Sequence, residues 1–190
     1  MNQVLPLATS PTLVRLRVAD YLLLDGKGAF DGYGKTELIE GEIFYVNAQH
    51  RRHALIKTEI YDLLRDGLRI AGSSLRPLIE VSVELSEHDV PEPDNVVTSE
   101  PDGEGLVPGH SVALIVEVAD VTLQSDLTRK QAVYARAGVP EYWVADVAGR
   151  VIHQMWAPEG EAYAERRLGA FGEQIQAATI EGLAADTSGL

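Results

Sequence analysis

The chain has 190 residues, 45% of them hydrophobic, no cysteine, and a formal net charge of −13 with 29 acidic against 16 basic residues. That length fits one domain with a sizeable core. The missing cysteines exclude disulfides and thiolate metal sites, and the acidic balance excludes avid nonspecific nucleic-acid binding through a generally basic surface.

In chain order, residues 1–17 read as a flexible start without the features of a signal peptide, and residues 18–190 as a single domain with a weakly patterned tail from Pro158. No run approaches the ~18 to 20 apolar residues of a membrane span, so a cytoplasmic location is expected. "RVADYLLL" is a short helix, and "TELIEGEIFYVN" reads as a β-hairpin turning at Glu40-Gly41. Then "HRRHALIKTEIYDLLRDGLRIAG" spaces Ile56, Ile60, Leu63, Leu64 and Leu68 as one helical face, ending at Ala71-Gly72. Strands are expected over 78–85, 95–98 and 112–118. A helix over 125–137 follows, with Ser125 as N-cap and Gly138 as stop, and then the strands "EYWVAD" and "RVIHQMWA". This order implies an α/β layer in which helices cover a mixed sheet.

Charge is uneven along the chain. Residues 80–104 hold nine acids and no Lys or Arg, whereas 51–76 hold six bases against three acids. Both stretches read either as solvated faces or as functional surfaces. The helix carrying Arg51, Arg52 and Lys57 is the local basic source for any nucleic-acid contact.

One residue sits oddly in this pattern. Glu117 interrupts "ALIVEV", a strand apolar enough to be buried on both faces. An unpaired carboxylate there costs several kcal/mol, on the order of a lost buried charge partner, so it needs a cation, a hydrogen-bond donor or an opening to solvent. Asp94, in "PEPDNVV", stands at the mouth of another strand, behind two prolines that make the entry irregular. Two such carboxylates on adjacent strands suit one divalent ion. In the helix that follows, Leu127, Lys130, Tyr134 and Ala137 share one face, so Lys130 points inward with the apolar stripe. The alternative for Lys130 is an i,i+4 pair with Asp126.

The segments "ELIEGEI", "PEPDNVV", "LIVEVAD" and "DLTRKQAVYARAGVPEYWVAD" resemble the Uma-two family of endonucleases, members of the PD-(D/E)XK nuclease superfamily, over roughly residues 18–157. The resemblance implies a restriction-endonuclease-like fold, a mixed β-sheet flanked by helices with an N-terminal β-hairpin. It also implies metal-dependent hydrolysis of phosphodiester bonds of nucleic acid, DNA foremost, with Mg2+ or Mn2+, in a homodimer.

Carried over by position, Asp94 matches the aspartate of the PD motif and Glu117 its (D/E). The main-chain carbonyl of Val118 would be a third metal ligand. The superfamily lysine two residues on is replaced by Ala119, and in the Uma-two pattern that lysine stands in the next helix, here Lys130. Glu37, Glu40 and Glu42 match the family's amino-terminal acidic motif, with Glu37 the first choice for reaching the metal and Glu42 behind it. His53 matches a family histidine, although His50, three residues away, fits the same side. Asp120, where many relatives have serine, is either an outer ligand or a turn residue, the turn being favoured. Two other classes stay open, a catalytically silent nuclease-fold binding protein and a metal-dependent hydrolase of a non-nucleic substrate.

Overall fold

The computed structural model describes residues 12–46 and 50–190. Helix α1 is Val18–Asp25. Strands β1 (Lys35–Ile39) and β2 (Glu42–Val46) form the expected hairpin, turning on Glu40 and Gly41 at φ 53° and 74°. Positive φ at both central residues is the geometry that matches the twist of a two-residue hairpin. Helix α2 is Arg51–Ile70. There follow β3 (Arg76–Ile79), β4 (Val83–Glu84), β5 (Asn95–Thr98), β6 (Val107–Pro108) and β7 (Val112–Ala119).

A composite helix comes next, in three unbroken parts. Leu123–Ser125 is α-helical, Asp126–Lys130 is π-helical and Gln131–Arg136 is α-helical. Strands β8 (Glu141–Asp146), β9 (Val151–Glu159), β10 (Ala162–Ala170), β11 (Gln174–Gln176) and β12 (Ala184–Asp186) complete the chain.

Six strands make the central sheet in the order β10-β9-β8-β7-β5-β3. Within this sheet only β7 and β8 are parallel. Parallel neighbours need a crossover connection, and the composite helix supplies it. Because Leu114, Val116 and Val118 alternate with Ile115 and Ala119 along β7, the sheet buries both faces. One face packs against Ile56, Ile60, Leu64 and Leu68 of α2. The other packs against Tyr134 and Ala135 of the composite helix, with Tyr142 and Tyr163 from the sheet itself. A smaller cluster of Val18, Tyr21, Leu38 and Val90 seats α1 against the hairpin. Among the described residues no helix is long and apolar enough to cross a membrane.

Four expectations change. The strand expected over 78–85 is two strands, broken where Glu80 turns to φ 49°. The second helix begins at Leu123, so Ser125 lies inside it and is no N-cap. Of the flexible start, residues 1–11 lie outside the described residues, but Leu16 is pinned, its N–H donating to the Gly41 carbonyl and its own carbonyl bonded to His88 Nδ1.

The weakly patterned tail is the largest difference, since it forms three strands. Five consecutive residues of β10, 164–168, are exposed, so the strand shows no apolar alternation to read. Beyond it, Ile175, Ile180 and Leu183 enter the main core. Gly67 of α2 permits this close approach, because a Cβ there would meet the Ala184 carbonyl at 2.7 Å.

Glu141 clamps this tail to the sheet. It is fully buried and accepts hydrogen bonds from Trp143 Nε1 (2.6 Å), the Ala178 and Thr179 amides (2.9 and 2.8 Å) and the Thr179 hydroxyl (2.9 Å). A carboxylate so supplied with donors offsets its own desolvation. Glu141→Ala strands those donors and should lower unfolding free energy by roughly 3 kcal/mol. Urea denaturation measures this, and an unchanged midpoint would remove the clamp from the account.

Candidate active site

The site lies where β5 and β7 run antiparallel. Asn95 pairs with Val116, so the next step of the register sets Asp94 opposite Glu117 at the mouth of the two strands. Asp94 is held by that frame. Its Oδ2 accepts the Val118 amide at 2.8 Å, and its Oδ1 lies 3.0 Å from His53 Nε2 on α2. Both carboxylates are nearly buried, at 5% and 4% exposure, and both line one cleft of about 350 Å³.

The composite helix brings the cation. Lys130 Nζ donates to Glu117 Oε1 at 2.9 Å and to Glu37 Oε1 at 3.2 Å. One turn further, the Tyr134 hydroxyl donates to the same Glu117 oxygen at 2.6 Å. The spacing i,i+4 puts Lys130 and Tyr134 on one helix face, which is why both reach Oε1. Glu37 comes from β1 and is fixed by the Glu92 amide at 2.9 Å. Lys130 therefore does not pair with Asp126 in the local i,i+4 manner. Asp126 is buried, and its Oδ2 takes the Thr122 hydroxyl at 2.6 Å.

Electrostatics follow from this crowding. Burial pushes the Glu117 carboxyl up to about 8 against the pull of Lys130, with Asp126, Asp94 and Glu37 adding to the rise. Burial works against the Lys130 ammonium, but Glu117, Glu37 and Asp126 more than offset it and hold the group protonated. Asp94 moves the other way. Its desolvation is outweighed by His53 and the Val118 amide, which keep it below the usual aspartate range.

Other expected residues are placed as follows. Asp120 borders the cleft, and the side-chain bond in its turn is the Thr122–Asp126 one. Glu42 stands two steps along the hairpin from the position opposite Glu37 and is paired with Arg15 and Arg129, each at 3.0 Å. His50 and His53 both line the cleft, and it is His53 that reaches Asp94.

The basic helix is less basic than its sequence. Lys57 is buried and bound to Glu80 at 2.7 Å, so it is withdrawn from any surface contact. Arg65 pairs with Asp62 and Asp66, whereas Arg51 and Arg52 are exposed. Ala119, the position of the superfamily lysine, is fully buried against Tyr134 and its neighbours, which leaves no room for a lysine there.

Sequence reasoning missed the contribution of Tyr134, although its place on the Lys130 face was the available signal. It also missed Asp126 as a buried acid of the site, which only the π-helical turn explains. That turn widens the helix between Asp126 and Lys130 and presents both to the cleft.

Of the carboxylates that line the cleft, Glu37, Asp94, Glu117 and Asp126 are buried, and Lys130 and His53 stand among them. The carboxylate oxygens of such an acid-rich set suit a hard cation. Among the described residues no three His, Asp or Glu side chains converge as a ready-made cage. Two carboxylates with the remaining positions left to water and phosphate is the usual way magnesium is held, so Asp94 and Glu117 fit that ion.

A family model described as "Putative restriction endonuclease", Uma2, matches residues 18–188. No curated protein matches in sequence. Among solved structures, the chain is similar to a putative nuclease belonging to DUF820 from Anabaena variabilis ATCC 29413, with 15% identity over 92% of this chain and 93% of that one and a TM-score of 0.65. That likeness is one of fold. With the family match spanning nearly the whole domain, the chain belongs to the Uma2 family of restriction-endonuclease-like proteins.

Proposed function

We propose that the protein is a Mg2+-dependent endonuclease of the PD-(D/E)XK type, hydrolysing phosphodiester bonds of nucleic acid, DNA foremost, with Mn2+ as a substitute ion. The observation that carries this reading is the Lys130 ammonium bonded to Glu117 and Glu37 at the mouth of β7, directly across from Asp94. An acid pair opposite one inward lysine is what phosphoryl hydrolysis needs, namely negative ligands for an ion and a positive donor for the phosphate.

Asp94, Glu117 and the Val118 carbonyl would hold the ion, which supplies Lewis acidity toward water and phosphate. The residues around them act by position. His53 and the Val118 amide fix the two oxygens of Asp94. Tyr134 and Lys130 both bond Glu117 Oε1, so neither engages its Oε2. Glu37 steadies Lys130, whose charge is directed at a phosphate oxygen as negative charge grows there.

Glu117→Gln keeps the shape of the side chain and loses its charge. It should abolish ion binding by calorimetry and cut cleavage of plasmid DNA by roughly 100-fold or more, with the melting temperature little changed. Lys130→Met keeps an apolar stem along the helix face and should slow turnover by about 100-fold while the ion still binds. Equal rates for Lys130→Met and the parent would sink the phosphate-directed role. A parent that neither cleaves DNA in Mg2+ or Mn2+ nor binds either ion would favour the silent binding protein instead.

The raised Glu117 carboxyl sets a pH dependence as well. Below about 8 it retains a proton that an incoming cation must displace, so ion affinity should climb as pH rises from 6 to 8 and then level. Calorimetric titrations across that range test this, and a flat profile would contradict the shift.

A further inference from the structure

Beside the acidic cleft is an aromatic pair that the hydrolytic residues do not use. Tyr33 and Tyr45 are 60% and 61% exposed, with ring centroids 6.0 Å apart and planes tilted by 41°. Tyr45 borders the same cleft as Asp94 and Glu117.

Both residues are held in place by backbone. The Tyr33 amide donates to the Phe30 carbonyl at 2.8 Å, ahead of Gly34 at φ 74°. Tyr45 is paired in register with Thr36 on the hairpin, and the Thr36 carbonyl in turn accepts the Tyr21 hydroxyl at 2.9 Å. Two large rings kept open to solvent on a fixed frame beside a reactive cleft are a prepared contact surface.

The charges at the cleft narrow what that surface can take. Lys35 is engaged by Glu92 at 3.3 Å and Arg129 by Glu42 at 3.0 Å, while Lys130 is committed to Glu117 and Glu37. Arg51 and Arg52, which open α2 next to His50 and His53 of the cleft, are exposed and make no ion pair among the described residues. Two free arginines on a chain of net charge −13 suit one row of phosphates and are few for the two rows of a duplex. Unpaired bases, by contrast, offer open faces that stack on aromatic side chains whatever their sequence.

We infer that the cleft takes single-stranded nucleic acid, one base lying against the Tyr45–Tyr33 pair and the neighbouring phosphates against Arg51 and Arg52. This rests on the nuclease reading for its chemistry and adds the substrate class. The rings select unpaired strands, and the arginines anchor the backbone without reading sequence.

The test is fluorescence anisotropy of the full chain in Ca2+, with a labelled 16-nucleotide DNA strand, the same sequence as a blunt duplex, and a strand of equal length abasic through its centre. The intact single strand should bind more tightly than the duplex, and the abasic strand should lose about fivefold or more, the contribution of a stacked base. Tyr45→Ala and Tyr33→Ala should each weaken the intact strand by a similar factor and leave the duplex and the melting temperature unchanged, whereas Tyr45→Phe should retain affinity.

Equal binding of duplex and strand, or unaltered affinity in Tyr45→Ala, overturns the inference. Cleavage of the same three substrates in Mg2+ separates the two readings. Chelator-sensitive cutting of duplex and strand alike, indifferent to Tyr45, keeps the nuclease and removes the single-strand preference. Tyrosine-dependent strand binding with no cleavage of any substrate keeps the aromatic site and removes the nuclease.

Discussion

The contact on which the site depends is a lysine ammonium set between two buried carboxylates. Lys130 reaches Glu117 from the composite helix and Glu37 from the hairpin, so three separate parts of the chain meet on one nitrogen. None of these groups is stable alone at that depth. A carboxylate or an ammonium removed from water without a partner costs several kcal/mol in order of magnitude, and each pays for the others here. The arrangement therefore constrains the helix, the sheet and the hairpin together.

How the chain brings these parts into place is a matter of topology. Because β7 and β8 are parallel, the segment between them must cross the sheet, and it does so as a helix whose first turns pass directly over the carboxyl-terminal end of β7. The π-helical turn sits at that point, and the Tyr142 hydroxyl from β8 donates to the Asp126 carbonyl that opens it. The hairpin is fastened from outside. Arg129 bonds Glu40 and Glu42 and lies 4.4 Å over the Phe44 ring, and Arg136 bonds Glu40 and Glu161. Exposed pairs of this kind contribute little singly, about 0.2 to 1 kcal/mol each, yet several on one hairpin restrict where Glu37 can stand.

The negative charge of the chain also takes on meaning in three dimensions. Acids that look like solvated loop residues in sequence are distributed between two duties. Glu80 and Glu92 neutralise Lys57 and Lys35 near the cleft, and Glu37, Asp94, Glu117 and Asp126 line it. Of the bases that look like a positive ridge, Lys57 is spent on Glu80, Arg65 and Arg69 on Asp62 and Asp66, and Arg76 on Asp102. Among the described residues near the cleft, Arg51 and Arg52 make no ion pair and Tyr33 and Tyr45 stay exposed, a small set whose size bears directly on which substrates the cleft can hold.

Much of this was legible in the sequence. The continuous apolar run of β7, interrupted by Glu117, and the prolines before Asp94 marked two carboxylates that a buried sheet does not tolerate without reason. Helical spacing put Lys130 on an inward face. Family resemblance then ordered these residues into one fold, and the hairpin and the helix α2 had local signals strong enough to stand without it. Other features had no local signal. The strand β10 is exposed along most of its length, so no periodicity betrays it, and β12 depends on Gly67, 117 positions (184 − 67) away in the chain, to come close to α2. Asp126 joined the site through a π-helical turn, which regular helical spacing does not anticipate. Lys57 looked available because sequence shows a charge and not its partner, and only folding set Glu80 beside it. Local periodicity and chemistry decided which residues must be buried or paired; the tertiary structure decided with whom, because a buried charge is satisfied by whichever partner the topology delivers and not by its neighbours in sequence.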